Sequence, residues 1–392
     1  GEYPEKIQLH TEVVANIKGR DEIMAFLGAL CSLYFTIRYI ENKKSYTLLL
    51  SFIFLFAGLL SKESVITFLA IIPLTIYFFC RPKIKHLLII LIPLLAASIT
   101  FLWIRFHVIG MPDQPPTGEL MNNPFLHANA VEKYATIFYT WGLYLKLLIF
   151  PHPLTFDYYP KHIPVIGIGF RSVVSLVIYL FLAIYAIAGF KKKQVYSYGI
   201  LFYLISFSIF SNLLFPIGTF MNERFMYIPS LGFLLLLSWL MAVKIPEWLL
   251  KKNYSHRAVF MVFLSIFSLI LLLYSVKTIS RNRAWKDDFT LFTTDVKTSS
   301  NSAKSNTSAG GKLIEKAKTT ENSNQSQAYL RKAIQYLKKA LEIYPQYNDA
   351  WLLLGNAYFE MEKDPRKAFA CYLNILKRSP GNPHAWNNIQ IV

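Results

Sequence analysis

Apolar residues along this chain run continuously rather than alternating with polar ones. Residues 22–105 and 171–279 hold long apolar runs, whereas residues 281–392 carry the mixed pattern of water-soluble protein. A helix needs about 20 largely apolar residues to cross a bilayer core. On that basis eight segments are predicted to span: roughly 22–41, 45–61, 64–80, 86–105, 171–190, 196–217, 226–243 and 259–279. The expected fold class is all-α, a polytopic membrane helix bundle over 1–280 followed by a helical repeat domain.

The connections alternate in character. Arg38, Lys43 and Lys44, then Arg81, Lys83 and Lys85, then Lys191, Lys192 and Lys193, then Lys244, Lys251, Lys252 and Arg257 form four short basic loops. Basic loops stay cytoplasmic, which puts both chain ends on the opposite face, periplasmic in a bacterial inner membrane. Residues 131–150 are long enough to span, but doing so would break the alternation. They carry Glu132, Lys133 and Lys146 among Tyr and Trp, so an interfacial or re-entrant helix on the outer face is expected.

After residue 281 a repeat emerges. Pro345-Gln-Tyr-Asn-Asp-Ala-Trp351 recurs as Pro380-Gly-Asn-Pro-His-Ala-Trp386, an offset of 35. Trp351, Leu354, Gly355, Tyr358, Ala368, Tyr372 and Pro380 follow the tetratricopeptide pattern of paired helices, in which small residues admit large aromatics. A linker over 281–300 and a tetratricopeptide domain over 301–392, incomplete at its C-terminus, are expected. Such repeats capture protein segments and do no chemistry themselves.

Composition adds two exclusions. Charged residues make up 16% of the chain, well under the share in ordinary soluble domains. The net charge of +18 resides mostly in the basic loops, which speaks for membrane topology and against nucleic-acid binding. The three cysteines show no pairing or Cys/His spacing, so neither a disulfide framework nor a metal site is indicated.

Candidate chemistry gathers on the outer face, at residues 1–21, 61–64, 106–170 and 218–225. His10 and Glu12, with Arg20 beyond them, the pair Lys62 and Glu63, Asp157 in a Pro-rich loop, and Glu223 with Arg224 all put ionisable groups at helix ends. Ionisable groups at membrane level are costly and point to function. Each has a structural alternative: a helix-end ion pair for Lys62 and Glu63, a helix-linking pair for Glu223 and Arg224, a turn cap for Asp157, a solvated terminus for His10 and Glu12. Their convergence on one face favours a shared cavity.

The motifs HTEVVANIKGRDE (His10–Glu22), Lys62-Glu63, PHPLTFDYYP (Pro151–Pro160), FPIGTFMNERFMYIPSLGF (Phe215–Phe233) and RNRAWKDDFTLF (Arg281–Phe292), in that order and followed by repeats, resemble the transmembrane-and-tetratricopeptide-repeat protein O-mannosyltransferases. That resemblance implies a GT-C-like bundle taking a sugar from a polyprenyl-phosphate carrier, with membrane lipid, the carrier and an acceptor protein held by the repeats as partners. It implies Glu12 and Glu223 as catalytic carboxylates, Arg20, Lys62 and Arg224 as phosphate contacts, and His10, Glu63 and Asp157 as further substrate-binding groups. In the resembled family a helix and a large outer loop with an acidic pair precede the first motif. Here Gly1–Leu9 stands in that place, so an N-terminally truncated form lacking the principal base is expected. Two other readings remain: a non-catalytic membrane-anchored scaffold, and a carrier-lipid transporter or ligase.

The topology is checked by cysteine labelling in a background with Cys31, Cys80 and Cys371 replaced. Ser300→Cys should react from outside in sealed cells and Lys192→Cys only after permeabilisation. Labelling of both from one side would overturn the orientation.

Overall fold

The computed structural model describes residues 11–110, 120–158, 161–362 and 365–391. Among these, every regular element is helical, in keeping with the all-α expectation. After a short α1 (Thr11–Ala15), the bundle contains α2 (Arg20–Asn42), α3 (Ser45–Ser61), α4 (Phe68–Thr75), α5 (Ile84–Ile109) and α6 (Ala130–Ile149). It continues with α7 (Phe170–Phe190), α8 (Val195–Ser208), α9 (Pro229–Trp239), α10 (Ile245–Lys251) and α11 (His256–Asn282).

Among the described residues, six helical stretches are long and apolar enough to cross a membrane: Ile17–Asn42, Glu63–Cys80, Ile84–Ile109, Phe170–Phe190, Pro229–Lys251 and His256–Lys286. α3 and α8 are apolar but shorter. The chain is an integral membrane protein. α11 exposes Phe260, Leu269, Leu272 and Leu273 to its surroundings, an arrangement tolerable in lipid and costly in water.

Helix ends follow local chemistry. Lys43 ends α2 in the left-handed conformation at φ 58°, and Arg81 ends the widened turn Ile76–Cys80 at φ 47°. Asn129 and Glu132 form a reciprocal capping box at the start of α6. Where α8 meets α9, Gly232 lies so near that a Cβ there would sit 2.5 Å from the Gly199 carbonyl oxygen. Glycine permits this close crossing of backbones. Between α2 and α3, Ser32, Thr36 and Ser51 share hydrogen bonds of 2.8–2.9 Å, polar contacts made inside an apolar pair.

Three of the basic loops meet at one end of the bundle. Tyr39 packs edge-on to His86, Tyr77 stacks on Phe190 at 5.0 Å, and the Lys193 ammonium sits 4.4 Å over the Tyr77 ring. Tyr196 packs on Trp239, over which Lys244 sits, bringing the fourth loop alongside. The acidic motifs gather at the other end.

Two segments differ in form from the sequence reading. The span expected over 196–217 is helical only to Ser208. Asn212, at φ 57°, then donates from its side-chain amide to the Thr219 and Phe220 carbonyls and accepts from the Ile217 amide, closing a tight loop. Residues 281–300, expected as a linker, continue α11 to Asn282. A single 3-10 turn, Arg283–Lys286, then leads into α12 (Asp288–Thr298), which Asp287 caps. α6 packs beside α7 and α8 through Trp141, Tyr144 and Leu147, in one buried cluster with Tyr179 and Tyr203.

The repeats are α13 (Ala303–Lys318) with α14 (Ser323–Ile343), α15 (Asn348–Glu362) with α16 (Pro365–Leu376), and α17 (Pro383–Ile391). Ala333, Leu337, Ala340, Ala350 and Leu354 fill their shared core. A Cβ on Gly355 would fall 2.4 Å from the ring of Tyr372, itself buried with its hydroxyl on Asn356 at 2.7 Å. Gly355→Leu should therefore overpack this pair at about 1–3 kcal/mol, seen as faster tryptic cleavage within the repeats of the detergent-solubilised protein. Wild-type protection would overturn the packing.

Candidate functional site

α1 enters the acidic end and reverses at once. Asn16 caps the turn Ile17–Gly19, accepting from the Lys18 amide at 3.0 Å. A Cβ on Gly19 would collide with the Val13 carbonyl at 2.2 Å, so only glycine allows α1 to fold back against the start of α2. This reversal turns Glu12 inward, where it is 5% exposed.

A second turn faces it. Asn222 accepts from the Arg224 amide at 3.0 Å and caps the 3-10 turn Glu223–Met226. Two neighbouring side chains thereby take opposite directions. Glu223 points into the protein, where its Oε1 accepts from the Thr155 amide at 2.7 Å and from the Tyr158 hydroxyl at 2.8 Å. Arg224 points toward Glu12, with Nη1 3.6 Å from Oε1. The Arg224 amide and the Asn222 side chain also bear on the Glu12 carboxyl, but among the described residues Glu12 Oε2 and Arg224 Nε are buried and without a hydrogen-bond partner.

Both carboxyls are displaced from their ordinary range. Burial pushes Glu12 up to about 7 against the opposing charge of Arg224. Burial likewise pushes Glu223 up to about 8, against Arg281 and reinforced by Glu12. Arg281 is held by a bidentate ion pair with buried Asp295, whose Oδ2 also accepts from the Phe156 amide at 2.7 Å. Tyr158, buried beside Glu223, keeps its hydroxyl proton well beyond the usual range because burial disfavours the anion.

Glu12, Asp157, Asn222 and Arg224 line a cavity of about 580 Å³. Its other wall comes from the repeat side, with Trp285, Lys286, Asp287, Asp288 and Lys304, and Lys18 stands at the α1 turn. Glu12 can accept a proton there near neutral pH, and Arg224, Lys18, Lys286 and Lys304 supply positive charge for an anionic group.

The expected single cavity is thus only partly formed. Lys62 is drawn to Asp21 at 2.9 Å and Glu22 at 2.8 Å, while Glu63 pairs with Arg105. Lys62 and Glu63 line a separate space of about 360 Å³ with Arg105. Competing carboxylates at the start of α2 capture Lys62 before it can reach the larger cavity. Arg20 is exposed, and Glu223 stands behind the cavity wall rather than in it. Asp157 lines the cavity but accepts from the Ser302 hydroxyl. His10 lies outside the described residues. Sequence reasoning placed Glu22 and Tyr158 in the outer-face motifs without a role, and did not single out Arg281 or Asp295.

The tetratricopeptide repeat family matches residues 330–389. The chain is similar to the protein O-mannosyl-transferase TMTC3 of Mus musculus, 26% identical over 93% of this chain and 40% of that protein. It is also similar to the protein O-mannosyl-transferase Tmtc3 of Drosophila melanogaster, 26% identical over 69% of this chain and 28% of that protein. Human protein O-mannosyl-transferase TMTC2 is 24% identical over 84% of this chain and 47% of that protein. No solved structure matches. The resemblance read from the motifs is borne out over most of the chain, which spans about 40% of the length of its first relatives.

The raised Glu223 carboxyl fixes a pH dependence. Its folded pKa of about 8 exceeds its unfolded value of 4.5, so the folded state binds the extra proton and stability falls as pH rises through that window. Glu223→Gln mimics the protonated acid and keeps an acceptor for Thr155 and Tyr158. Its melting temperature should match wild type near about pH 5 and exceed it near about pH 9. Parallel pH profiles would show that Glu223 is ionised throughout.

Proposed function

We propose that this protein is a glycosyltransferase that moves a sugar, mannose or a similar one, from a polyprenyl-phosphate carrier to a protein hydroxyl on the non-cytoplasmic face. The observation that carries this reading is the unpartnered Glu12 carboxyl oxygen beside Arg224 in a cavity that sets Lys18, Arg224, Lys286 and Lys304 against an equal number of carboxyls, at the polar end of an apolar bundle. A polyprenyl chain keeps to the membrane while its phosphosugar head stays at the interface, and the cavity is at that end. The name protein O-mannosyl-transferase on the relatives supports glycosyl transfer to protein. The repeat domain, which forms one wall of the cavity, suits a protein acceptor.

In the proposed reaction the base is Glu12, the raised carboxyl that this chain itself presents to the cavity, rather than a group in the outer loop that the resemblance would supply; it takes the proton of the acceptor hydroxyl, and that oxygen bonds the anomeric carbon. The bond from that carbon to the phosphate oxygen breaks with its electron pair, leaving polyprenyl phosphate. Arg224 stabilises the phosphate with a planar, multiply donating guanidinium, aided by Lys18, Lys286 and Lys304. A carboxyl near neutrality suits a base that must be ionised yet able to take up a proton.

The test uses the protein in liposomes with radiolabelled polyprenyl-phosphate mannose and an acceptor peptide. Arg224→Ala and Glu12→Gln should each reduce transfer about 10²- to 10³-fold while the protein remains folded. Wild-type transfer by either variant would reject its role. Absence of transfer by the wild type, with peptide binding retained, would favour a non-catalytic scaffold.

A further inference from the structure

The loop carrying Thr155, Phe156 and Asp157 is gripped from both sides. On the membrane side Glu223 accepts from the Thr155 amide at 2.7 Å. On the repeat side, three contacts reach the same loop. Asp295 accepts from the Phe156 amide at 2.7 Å, the Ser299 hydroxyl meets that of Thr155 at 3.0 Å, and the Ser302 hydroxyl donates to Asp157. All of these side chains are buried. Ser302 also caps α13, accepting from the Ser305 amide at 2.9 Å, and Ser299 joins Ser305 at 2.6 Å. α12 and the start of the repeats are therefore bonded, through one loop, to the residue between Asn222 and Arg224.

We propose that Asp295, Ser299 and Ser302 are positioning residues of the cavity. Acting through loop 155–157 and Glu223, they set where Asn222 and Arg224 stand in its wall. The position of the repeat domain thereby governs turnover. This inference rests on the proposed transferase reading for its kinetic consequence, and on hydrogen-bond geometry alone for its structural one.

The physical case has three steps. A hydrogen bond between buried groups is expensive to leave unmade, so the loop must follow whichever partner moves. The partners on the repeat side belong to α12 and the cap of α13, and they move with the repeats. Glu223 occupies a one-turn helix, so displacement of its side chain is passed to the residues on either side of it. A protein segment drawn onto the repeats would then act on the cavity without entering it.

The charged and titratable groups around Glu223 are Glu12, Tyr158, Arg224, Arg281 and, behind Arg281, Asp295. Tyr144 adds its hydroxyl, which accepts from the Asn222 amide at 2.9 Å. Burial is the main reason that Glu223 holds its proton, opposed in part by the Thr155 amide and the Tyr158 hydroxyl, and the loop is one of the elements that cover it, so the carboxyl responds to whether the loop is seated.

Three substitutions at one position separate this role from helix capping. Ser302→Thr keeps both the donor and the cap, Ser302→Asp keeps the cap but sets a carboxylate against Asp157, and Ser302→Ala loses both. Thr155→Val and Thr155→Ser repeat the comparison from the loop side, should variants at 302 fail to fold. Two readouts are taken on the intact protein in liposomes. The first is transfer from polyprenyl-phosphate mannose. Ser302→Asp, Ser302→Ala and Thr155→Val should lose roughly ten- to a hundredfold in kcat with donor KM unchanged, and the Thr and Ser replacements should restore it. The second is the infrared carboxyl band of Glu223, identified by difference against Glu223→Gln and followed with pH. Its midpoint should fall from about 8 toward the ordinary range in the unseated variants, because water replaces the loop.

An unchanged Glu223 band in Ser302→Asp and Thr155→Val would overturn the positioning role. So would a rise in KM at constant kcat. If the wild type transfers no sugar, the proposed function fails, and the infrared comparison still decides the coupling.

Discussion

A carboxyl taken out of water must be neutralised or hydrogen-bonded, and at the polar end of this bundle five are taken out together: Glu12, Glu22, Asp157, which accepts from the Ser302 hydroxyl, Glu223 and Asp295. Each is answered differently. Asp295 has Arg281 in a two-pronged ion pair, and Glu22 has the Lys62 ammonium at 2.8 Å. Glu223 has a proton and two donors, and Glu12 has Arg224 at an imperfect 3.6 Å. Breaking a buried pair by removing one partner typically costs about 3–5 kcal/mol, because the survivor is left charged in a poor solvent. The elements carrying these groups are therefore tied into one arrangement: α1, the starts of α2 and the 63–67 turn, the loop after α6, the 223–226 turn, the end of α11, and α12.

That arrangement explains why the incompletely paired group faces the cavity. Among the members with a buried atom lacking a hydrogen-bond partner, Glu12 (Oε2) and Arg224 (Nε) line the open space, whereas Glu22 (Oε1) and Arg281 (Nε) do not. Glu223 and Asp295, which accept hydrogen bonds from Thr155, Tyr158 and Phe156, lie behind Glu12 and Arg224. Buried polar groups left without partners are rare in folded proteins and concentrate where a ligand completes them. The same asymmetry sets the electrostatics, since Arg224 opposes the upward shift of Glu12 while burial sustains it.

Legibility in the sequence follows from the range of each interaction. The bundle is readable because lipid selects composition segment by segment, so apolar runs report spans without knowledge of their neighbours. The repeats are readable because Pro345 and Trp351 recur as Pro380 and Trp386, and because Gly355 and Tyr372 face each other within one hairpin. The end of α8 was obscured because Leu213, Leu214 and Phe215 continue the apolar run past Ser208, although Asn212, Pro216 and Gly218 already supply turn chemistry. Lys62 illustrates the limit for charged groups. Its sequence neighbour Glu63 suggests a local pair, yet Lys62 is in extended backbone at φ −157°, which sends the two side chains to different partners. Tyr158 and Glu223, or Phe156 and Asp295, lie far apart in the chain, and nothing local marks them as partners.

The continuity of α11 into the repeat side is the last constraint. α11 runs to Asn282, and only the 3-10 turn and the Asp287 cap separate it from α12. A flexible linker of twenty residues would let the repeats wander over tens of ångströms, on the order of 25 Å. A helix ending on a buried Arg281–Asp295 pair does not allow that, because rotating α12 away would strip the guanidinium of its partner. The repeats are consequently part of the cavity's construction, with Lys304 of α13 joining Asp287 and Asp288 of the α12 start in its far wall. On the proposed reading, a segment bound along the repeats would begin its path within reach of Glu12 and Arg224, and recognition of an acceptor and chemistry at the membrane surface would be joined by the same short stretch of chain.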